Sequence, residues 1–439
     1  MTKIKTLKLA GLASALTVGL VAPAHAEVSG ETAFIFNSLS FLLHGFLVMW
    51  MAAGFCMLEA GLVRTKNTSM QLLKNIAIYS VAGIMFWAVG YNLMYMDVNG
   101  FFGTFLPWSA SDPGVTADGF TEGDYAAGSD WFFQMVFVAT TASIVSGTVA
   151  ERIKLWPFMA FTVVLTAIIY PIEGAWSWGG GWLSEMGFAD FAGSTIVHST
   201  GGWAALAGAI LLGARKGKYG PDGRVNPIPG SNLPLATIGT FILWLGWFGF
   251  NGGSQLAMGS AADIVAIAAI YINTNLAAAG GVVAAMILTQ VIYKKVDLTM
   301  ALNGALAGLV AITAEPLAPS PLWAICVGAI GGVIIVFAVP MFDKLKIDDV
   351  VGALPVHLVC GIWGTIAVPF SNSDASFVTQ LIGIVAVGAF AFIASMIVWG
   401  ILKAVVGIRV SEEEEAVGLD KTELGLEAYP EFGQGSKSL

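Results

Sequence analysis

Gly193-Ser-Thr-Ile-Val197-His198-Ser-Thr-Gly201-Gly202 and Gly352-Ala-Leu-Pro-Val356-His357-Leu-Val-Cys-Gly361 are the two stretches on which the reading of this chain turns. Each sets a histidine inside an apolar run, with Gly five residues before it, Val one before and Gly four after. An ionisable side chain in lipid is expensive and marks a pathway. A matched pair, one in each half of the chain, points to a site built where two related halves meet.

Hydrophobic residues make up 56% of the 439 residues and charged ones 11%. Soluble domains carry about 25% charged residues. The chain therefore reads as an all-α integral membrane protein, with apolar runs long enough for helices rather than barrel strands. The net charge of −9 makes no case for a nucleic-acid partner, because the acids cluster in loops and in the tail. Cys56, Cys326 and Cys360 stand singly in apolar segments, so neither a disulfide framework nor a zinc site is called for. Lys3, Lys5 and Lys8 precede an apolar run from Leu9 to Val21, followed by Ala24-His25-Ala26. Residues 1–26 read as a cleavable secretory signal, with an uncleaved first span as the alternative. Cleavage would start the mature chain at Glu27, outside the cytoplasm.

Eleven further apolar segments follow, at about 33–58, 76–95, 131–149, 156–172, 195–213, 233–250, 261–292, 299–313, 321–341, 352–370 and 377–404. The seventh is long enough to hide two spans and the eighth is short. Charge settles both. Basic residues gather at Arg64, Lys66 and Lys74; at Arg152 and Lys154; at Arg215, Lys216, Lys218 and Arg224; at Lys294 and Lys295; at Lys344 and Lys346; and from Lys403 onward. Cytoplasmic loops hold the Lys/Arg excess, and two segments separate each cluster from the next. The long loop 96–130 carries Asp97, Asp112, Asp118, Glu122, Asp124 and Asp130 and no base. The expected topology is amino end out and carboxyl end in.

Five segments separate the two histidines, and an odd offset reverses direction. The expected architecture is two inverted five-helix repeats with one added helix, making a membrane domain over residues 27–404. Gly328-x-x-x-Gly332, Ala277 to Gly281 and Gly304 to Gly308 offer small residues for close helix approach. Residues 405–439, rich in Glu and Asp, read as a polar cytoplasmic tail.

Bis-His haem ligation is the rival chemistry for the paired histidines. Beyond the signal only His44 remains as a third, so a two-haem cytochrome lacks ligands and no cofactor is called for. Aromatics gather toward the outside ends: Phe132, Phe133 and Phe137; Trp176, Trp178 and Trp182 around Gly179-Gly180-Gly181; then Trp244, Trp247, Phe248 and Phe250 ahead of Asn251-Gly252-Gly253-Ser254. They fit an interfacial belt or a site where ring faces attract a desolvated cation by about 2 kcal/mol. Asp190 fits an N-cap or a fixed negative charge near the outer mouth. No nucleophile elbow, zinc-protease or phosphate-loop motif occurs in a context worth pursuing, so the chain does not read as an enzyme.

Seven strings together resemble the ammonium transporter (Amt/Mep/Rh) family, and the resemblance covers essentially the whole mature chain. They are Glu59-Ala-Gly-Leu-Val-Arg64-Thr-Lys66-Asn67, Val149-Ala-Glu151-Arg152-Ile153, Trp178-Gly-Gly-Gly-Trp182, Asp190-Phe-Ala-Gly-Ser-Thr-Ile-Val-His198, Gly246-Trp-Phe-Gly-Phe250-Asn-Gly-Gly-Ser254, Asn303-Gly-Ala-Leu-Ala-Gly308-Leu-Val, and Asp348-Asp349 leading to Val356-His357. The resemblance implies a homotrimer in a bacterial inner membrane, each protomer with its own pore for ammonium or ammonia. It implies an outer ammonium site from Phe133, Phe137, Trp178 and Ser254, with Asp190 as a required acid below it. Phe137 and Phe250 would be a stacked gate, His198 and His357 the imidazoles lining the pore, and Trp247, Asn303 and Thr313 neighbours of that path. It also implies a PII-type signalling partner at the cytoplasmic face, although Leu424 stands where a His is common in the family's tail. An ammonium sensor, using the same site to signal to partners, is the second function of this class.

Overall fold

In lipid every backbone N–H and C=O must be satisfied inside its own segment, which leaves the helix as the solution for a chain of apolar runs. The computed structural model describes residues 28–432, and the signal expected at 1–26 lies outside them. Among the described residues nine helices are long and apolar enough to cross a membrane: α1 (Gly30–Leu62), α2 (Thr65–Tyr95), α3 (Ala127–Thr148), α4 (Leu155–Glu185), α5 (Ser194–Leu212), α6 (Leu233–Gly253), α7 (Ala261–Tyr293), α9 (Pro321–Lys344) and α11 (Phe377–Val405). Two shorter apolar helices, α8 (Leu298–Ile312) and α10 (Leu354–Phe370), take the eighth and tenth places. The long seventh segment is one unbroken helix, opened by a reciprocal cap between Ser260 and Asp263.

α1 packs along α6, and the start of α5 packs on the start of α10. These are the helices with equal places in the two halves. The small-residue strings meet one another: a Cβ on Gly281 would strike the Gly304 carbonyl, one on Gly308 or Gly328 the Ala277 carbonyl, and one on Gly332 the Gly281 carbonyl. α7, α8 and α9 thus touch backbone to backbone, the approach that lipid-embedded helices use in place of a hydrophobic driving force.

The basic clusters do more than carry the expected orientation. Arg152 and Arg215 are buried, where the sequence places them in solvated loops. Arg215 holds Asp348 through Nε and Nη2 at 2.8 and 2.9 Å and reaches Glu151 at 3.4 Å. Glu151 also accepts from Arg64 Nε at 2.6 Å. Arg152 donates to the carbonyls of Thr148, Ala150, Gly213 and Asp348. Burial pushes the Asp348 carboxyl up, but the bonds and charges of Arg215 and Arg152 outweigh it and hold the group well below the ordinary carboxylate range. Glu151 is lowered by the same balance, with Arg215 and Arg64 outweighing burial.

The tail joins this face. Val410 N–H bonds the Arg152 carbonyl, Arg409 pairs with Glu415 at 2.7 Å, and Lys66 Nζ donates to the carbonyls of Glu415 and Ala416. Asp420 accepts from the N–H groups of Ser69 and Met70, capping the first turns of α2. Two of the acids that read as solvated, Glu415 and Asp420, are therefore buried, because the tail lies on the network instead of extending from it.

Removing one partner of a buried ion pair leaves an uncompensated charge, so Asp348→Asn should cost about 3–5 kcal/mol. The carboxyl's folded pKa is depressed. Its contribution is therefore complete above the unfolded value of about 4 and is lost as pH falls through the folded one. Thermal unfolding in detergent from neutral to acid pH should show this loss in the wild type, and a smaller one in Asp348→Asn. Equal melting temperatures at neutral pH would contradict the assignment.

Candidate functional site

Phe133 and Phe137 lie one turn apart on α3, so both rings leave the same helix face. Their centroids are 4.8 Å apart. Trp178, at the end of the main helical run of α4, meets Phe137 edge-on at 6.0 Å. With Ser254, these rings line a cavity of about 380 Å³ whose wall also includes Tyr91, Tyr95, Tyr125, Asp130, Gln134 and Phe191. Ser254 donates its hydroxyl to the Phe250 carbonyl at 2.9 Å, which leaves its oxygen lone pairs to accept from a guest. The Trp178 indole is fixed by its N–H bond to the Asp190 carbonyl at 2.9 Å.

Ring contacts continue inward. Phe137 and Phe250 stack at 4.0 Å and 27°. Phe250 lies 5.3 Å from His198, which stacks on Trp247 at 4.9 Å and 18°. Trp247 is held in turn by its N–H bond to the Thr313 hydroxyl at 2.8 Å. His198 and His357 face each other with centroids 5.2 Å apart and their Nδ1 atoms at 3.2 Å. One Nδ1 must carry the proton and the other the lone pair for that bond to form. With both rings neutral, the two Nε2 atoms are then one acceptor and one donor. Phe55 follows at 6.1 Å from His357, beside an inner cavity of about 20 Å³ that His357, Asn303 and Glu59 help to line. Asn303 is set by its amide bond to the Val351 carbonyl at 3.3 Å. All eleven site candidates named from the sequence thus lie along one course of contacts. His44 is apart from it, bonded to Ser40 and Tyr271.

The turns that present the histidines are built alike. Both open as π-helix, Ser194–Ser199 and Leu354–Val359. The Gly five residues before each His has a left-handed φ, 107° at Gly193 and 82° at Gly352, a conformation that favours glycine. Three residues further upstream stands an aspartate in each case. Asp190 accepts through both carboxylate oxygens from the N–H groups of Gly193, Ser194, Thr195 and Ile196. Asp349 accepts from Leu354 N–H at 2.7 Å and from the Thr148 hydroxyl at 3.1 Å. The repeated unit is thus Asp-x-x-Gly-x-x-x-Val-His, longer than the Gly-to-His string from which the halves were recognised. Asp349 was legible at the same spacing of eight residues. Asp130 was read only as a loop acid; it is buried, bonded to the Tyr91 hydroxyl and to Gln134 Nε2.

Residues 39–429 match the model of the Ammonium Transporter Family. The chain is 43% identical to ammonium transporter Amt2 of Archaeoglobus fulgidus, over 89% of this chain and 87% of that protein. It is 40% identical to a putative ammonium transporter of Synechocystis sp., over 95% of each. Among solved structures it is similar to one titled Sensor Amt Protein, with a TM-score of 0.84 and 37% identity over 90% of this chain and 100% of that one. It also resembles Candida albicans Mep2, with a TM-score of 0.76 and 27% identity over 88% of each.

Asn caps an ordinary helix about as well as Asp, which would make Asp190→Asn silent as a cap. The four N–H groups around both oxygens of Asp190 change that expectation, because the amide nitrogen would face donors. Asp190→Asn should therefore lose about 1–3 kcal/mol of stability, and more than Asp349→Asn, whose amide can still donate to Thr148. Melting temperatures of the two variants in detergent check this; equal losses would refute the difference.

Proposed function

The chain belongs to the ammonium transporter family, a family of membrane transporters rather than enzymes, and we propose that it moves ammonium across a bacterial inner membrane by binding the cation in the outer aromatic cavity, removing a proton and passing ammonia beyond the paired imidazoles. The observation that carries this reading is the unbroken course of ring contacts from Trp178 through Phe137, Phe250 and His198 to His357. A bare ammonium in such surroundings costs tens of kcal/mol, while a desolvated cation–π contact returns about 2. The ion can be selected at the wet mouth, where Phe133, Phe137 and Trp178 offer ring faces and Ser254 accepts a hydrogen bond. Past the stacked phenyl rings only the neutral molecule passes cheaply. Neutral imidazoles offer ammonia an acceptor and a donor.

Trp247, Thr313 and Asn303 are positioning residues on this reading, and Asp190 holds the turn that carries His198. The two shorter helices complete eleven spans in inverted halves, amino end out, with residues 405–439 on the cytoplasmic side as a regulatory tail for a PII-type partner. Three protomers each carry their own path. A solved sensor in the family supports one alternative: ammonium bound at the same cavity and reported to a cytoplasmic partner without passage.

Proteoliposomes decide between them. His198→Ala and His357→Ala, each eluting as the wild type does, should lose flux or lose discrimination against other cations. Wild-type flux and selectivity in both would end the paired-imidazole reading. Trp178→Leu should raise the half-saturating ammonium concentration up to about 30-fold, the equivalent of roughly 2 kcal/mol. An unchanged value returns Trp178 to the interfacial belt. Ammonium binding by the wild type with no flux selects the sensor.

A further inference from the structure

Glu59 is a buried carboxylate that the path described so far does not use. It lies three residues before the end of α1, at the side of Arg64 and Lys66, and exposes 1% of its surface. Its two oxygens are treated very differently. Oε2 accepts from Gln71 Nε2 at 2.6 Å, Asn75 Nδ2 at 3.0 Å and Ser146 Oγ at 2.7 Å. Oε1 is buried and accepts nothing among the described residues. A carboxylate kept only to tie helices together has no reason to leave one oxygen bare, since buried polar atoms are almost always bonded.

The bare oxygen belongs to the residue that shares the inner cavity with His357. That cavity measures about 20 Å³, the room one water needs. Its polar wall comprises His357, Glu59, Ser143 and Asn303, and a buried water needs two to four such partners. His357 uses Nδ1 toward His198, and its Nε2 makes no other bond among the described residues. The charged and titratable groups around Glu59 are few. Lys74 on α2 reaches it only through Gln71 and otherwise bonds the Ser146 carbonyl. His357 faces it from α10, Cys56 lies on its own helix, and α3 offers the Ser146 hydroxyl.

We propose that Glu59 is the proton acceptor at the cytoplasmic end of the path, taking from His357, through one water in the inner cavity, the proton that ammonium gives up outside. The inference rests on the transport reading above. An N–H bond of ammonium breaks and ammonia keeps the electron pair. The proton joins Nε2 of His198 while the Nδ1 proton of that ring passes to Nδ1 of His357. Nε2 of His357 releases its own proton to the water, and the water passes one to Oε1 of Glu59, forming an O–H bond. The carboxyl then yields it to ammonia arriving inside, which becomes ammonium, or to cytoplasmic water. Each nitrogen moved carries one charge; the transfer leaves His198 protonated on Nε2 and His357 on Nδ1, so the pair regains its first tautomers by proton exchange with water before the next ion. Oε1 suits the step because its lone pairs are free, while the three donors on Oε2 hold the group in place.

Glu59→Gln separates the acceptor from the scaffold. Its amide oxygen can take the three bonds of Oε2, while its NH2 replaces the free oxygen and cannot accept. In proteoliposomes given an inward ammonium chloride gradient, current and ammonium uptake are recorded together. For Glu59→Gln eluting as the wild type, the current should fall by about tenfold or more, and wild-type current would overturn the proposal. Infrared difference spectra of the wild type supply a readout that does not depend on the variant's folding. Adding ammonium should produce a protonated-carboxyl band, lost in Ser143→Ala, which leaves the bonds of Glu59 intact. No such band in the wild type overturns the proposal as well. Wild-type uptake without current leaves transport standing and rejects Glu59 as the acceptor; no wild-type uptake rejects the transport reading itself, and this one with it.

Discussion

A positive charge in a medium of low dielectric costs tens of kcal/mol, and the course from Trp178 to His357 is arranged around that cost. Ring faces and hydroxyls gather where a cation can still be partly hydrated. Beyond them the Phe137 and Phe250 stack closes the way at 4.0 Å between centroids, and the next polar groups are two imidazoles bonded to each other. No Lys, Arg, Asp or Glu side chain stands in the course of ring contacts between Phe250 and His357. Among the carboxylates at its flanks, Asp190 is saturated by backbone N–H groups beside the first imidazole, and Glu59 lines the small cavity beside the second.

Such a narrow course needs walls that do not yield. Backbone contact through Gly281, Gly304, Gly308, Gly328 and Gly332 locks α7, α8 and α9 without side chains between them. At the face that carries the basic clusters, Arg152 and Arg215 tie the ends of α3, α5 and α9 together through Asp348, Glu151 and four carbonyls. The Asp348–Asp349 pair divides the labour there. The first residue anchors Arg215 and the second caps the turn that presents His357. A change in the network is therefore one residue away from the cap of the turn that presents His357, and the tail that lies on the same network through Arg409 and Val410 shares that proximity.

Helix positions were legible because lipid leaves one periodicity and few charges. The parity of Lys and Arg keeps the seventh segment whole, as the single helix Ala261–Tyr293 shows, and keeps the eighth, which is a shorter apolar helix, Leu298–Ile312. The meeting of the histidines was legible in their matched setting, one in each half of the chain, and in what the family resemblance implies. What stayed hidden is pairing through space. Arg152 and Arg215 look like loop bases until Asp348 is seen against them. Asp190 looks like a one-oxygen cap until four N–H groups are counted. Asp349 stands outside the Gly-to-His string that marks the repeat, so its role as a cap shows only once Asp190 is seen at the same spacing. Glu59 is one letter of a family string, and its bare oxygen, together with its place in the wall of the cavity it shares with His357, is visible only in three dimensions.

On this reading the nitrogen gives up its charge before it passes the imidazoles. Potassium has the charge of ammonium and a similar size but no proton to lose. Currents from proteoliposomes under equal gradients of potassium and ammonium test the claim most directly. Ammonium should drive a signal or uptake with no potassium current, even when potassium is high enough to compete at the aromatic cavity. A potassium current comparable to that of ammonium would mean that a bare cation crosses the ring stack, and the account would be wrong at its base.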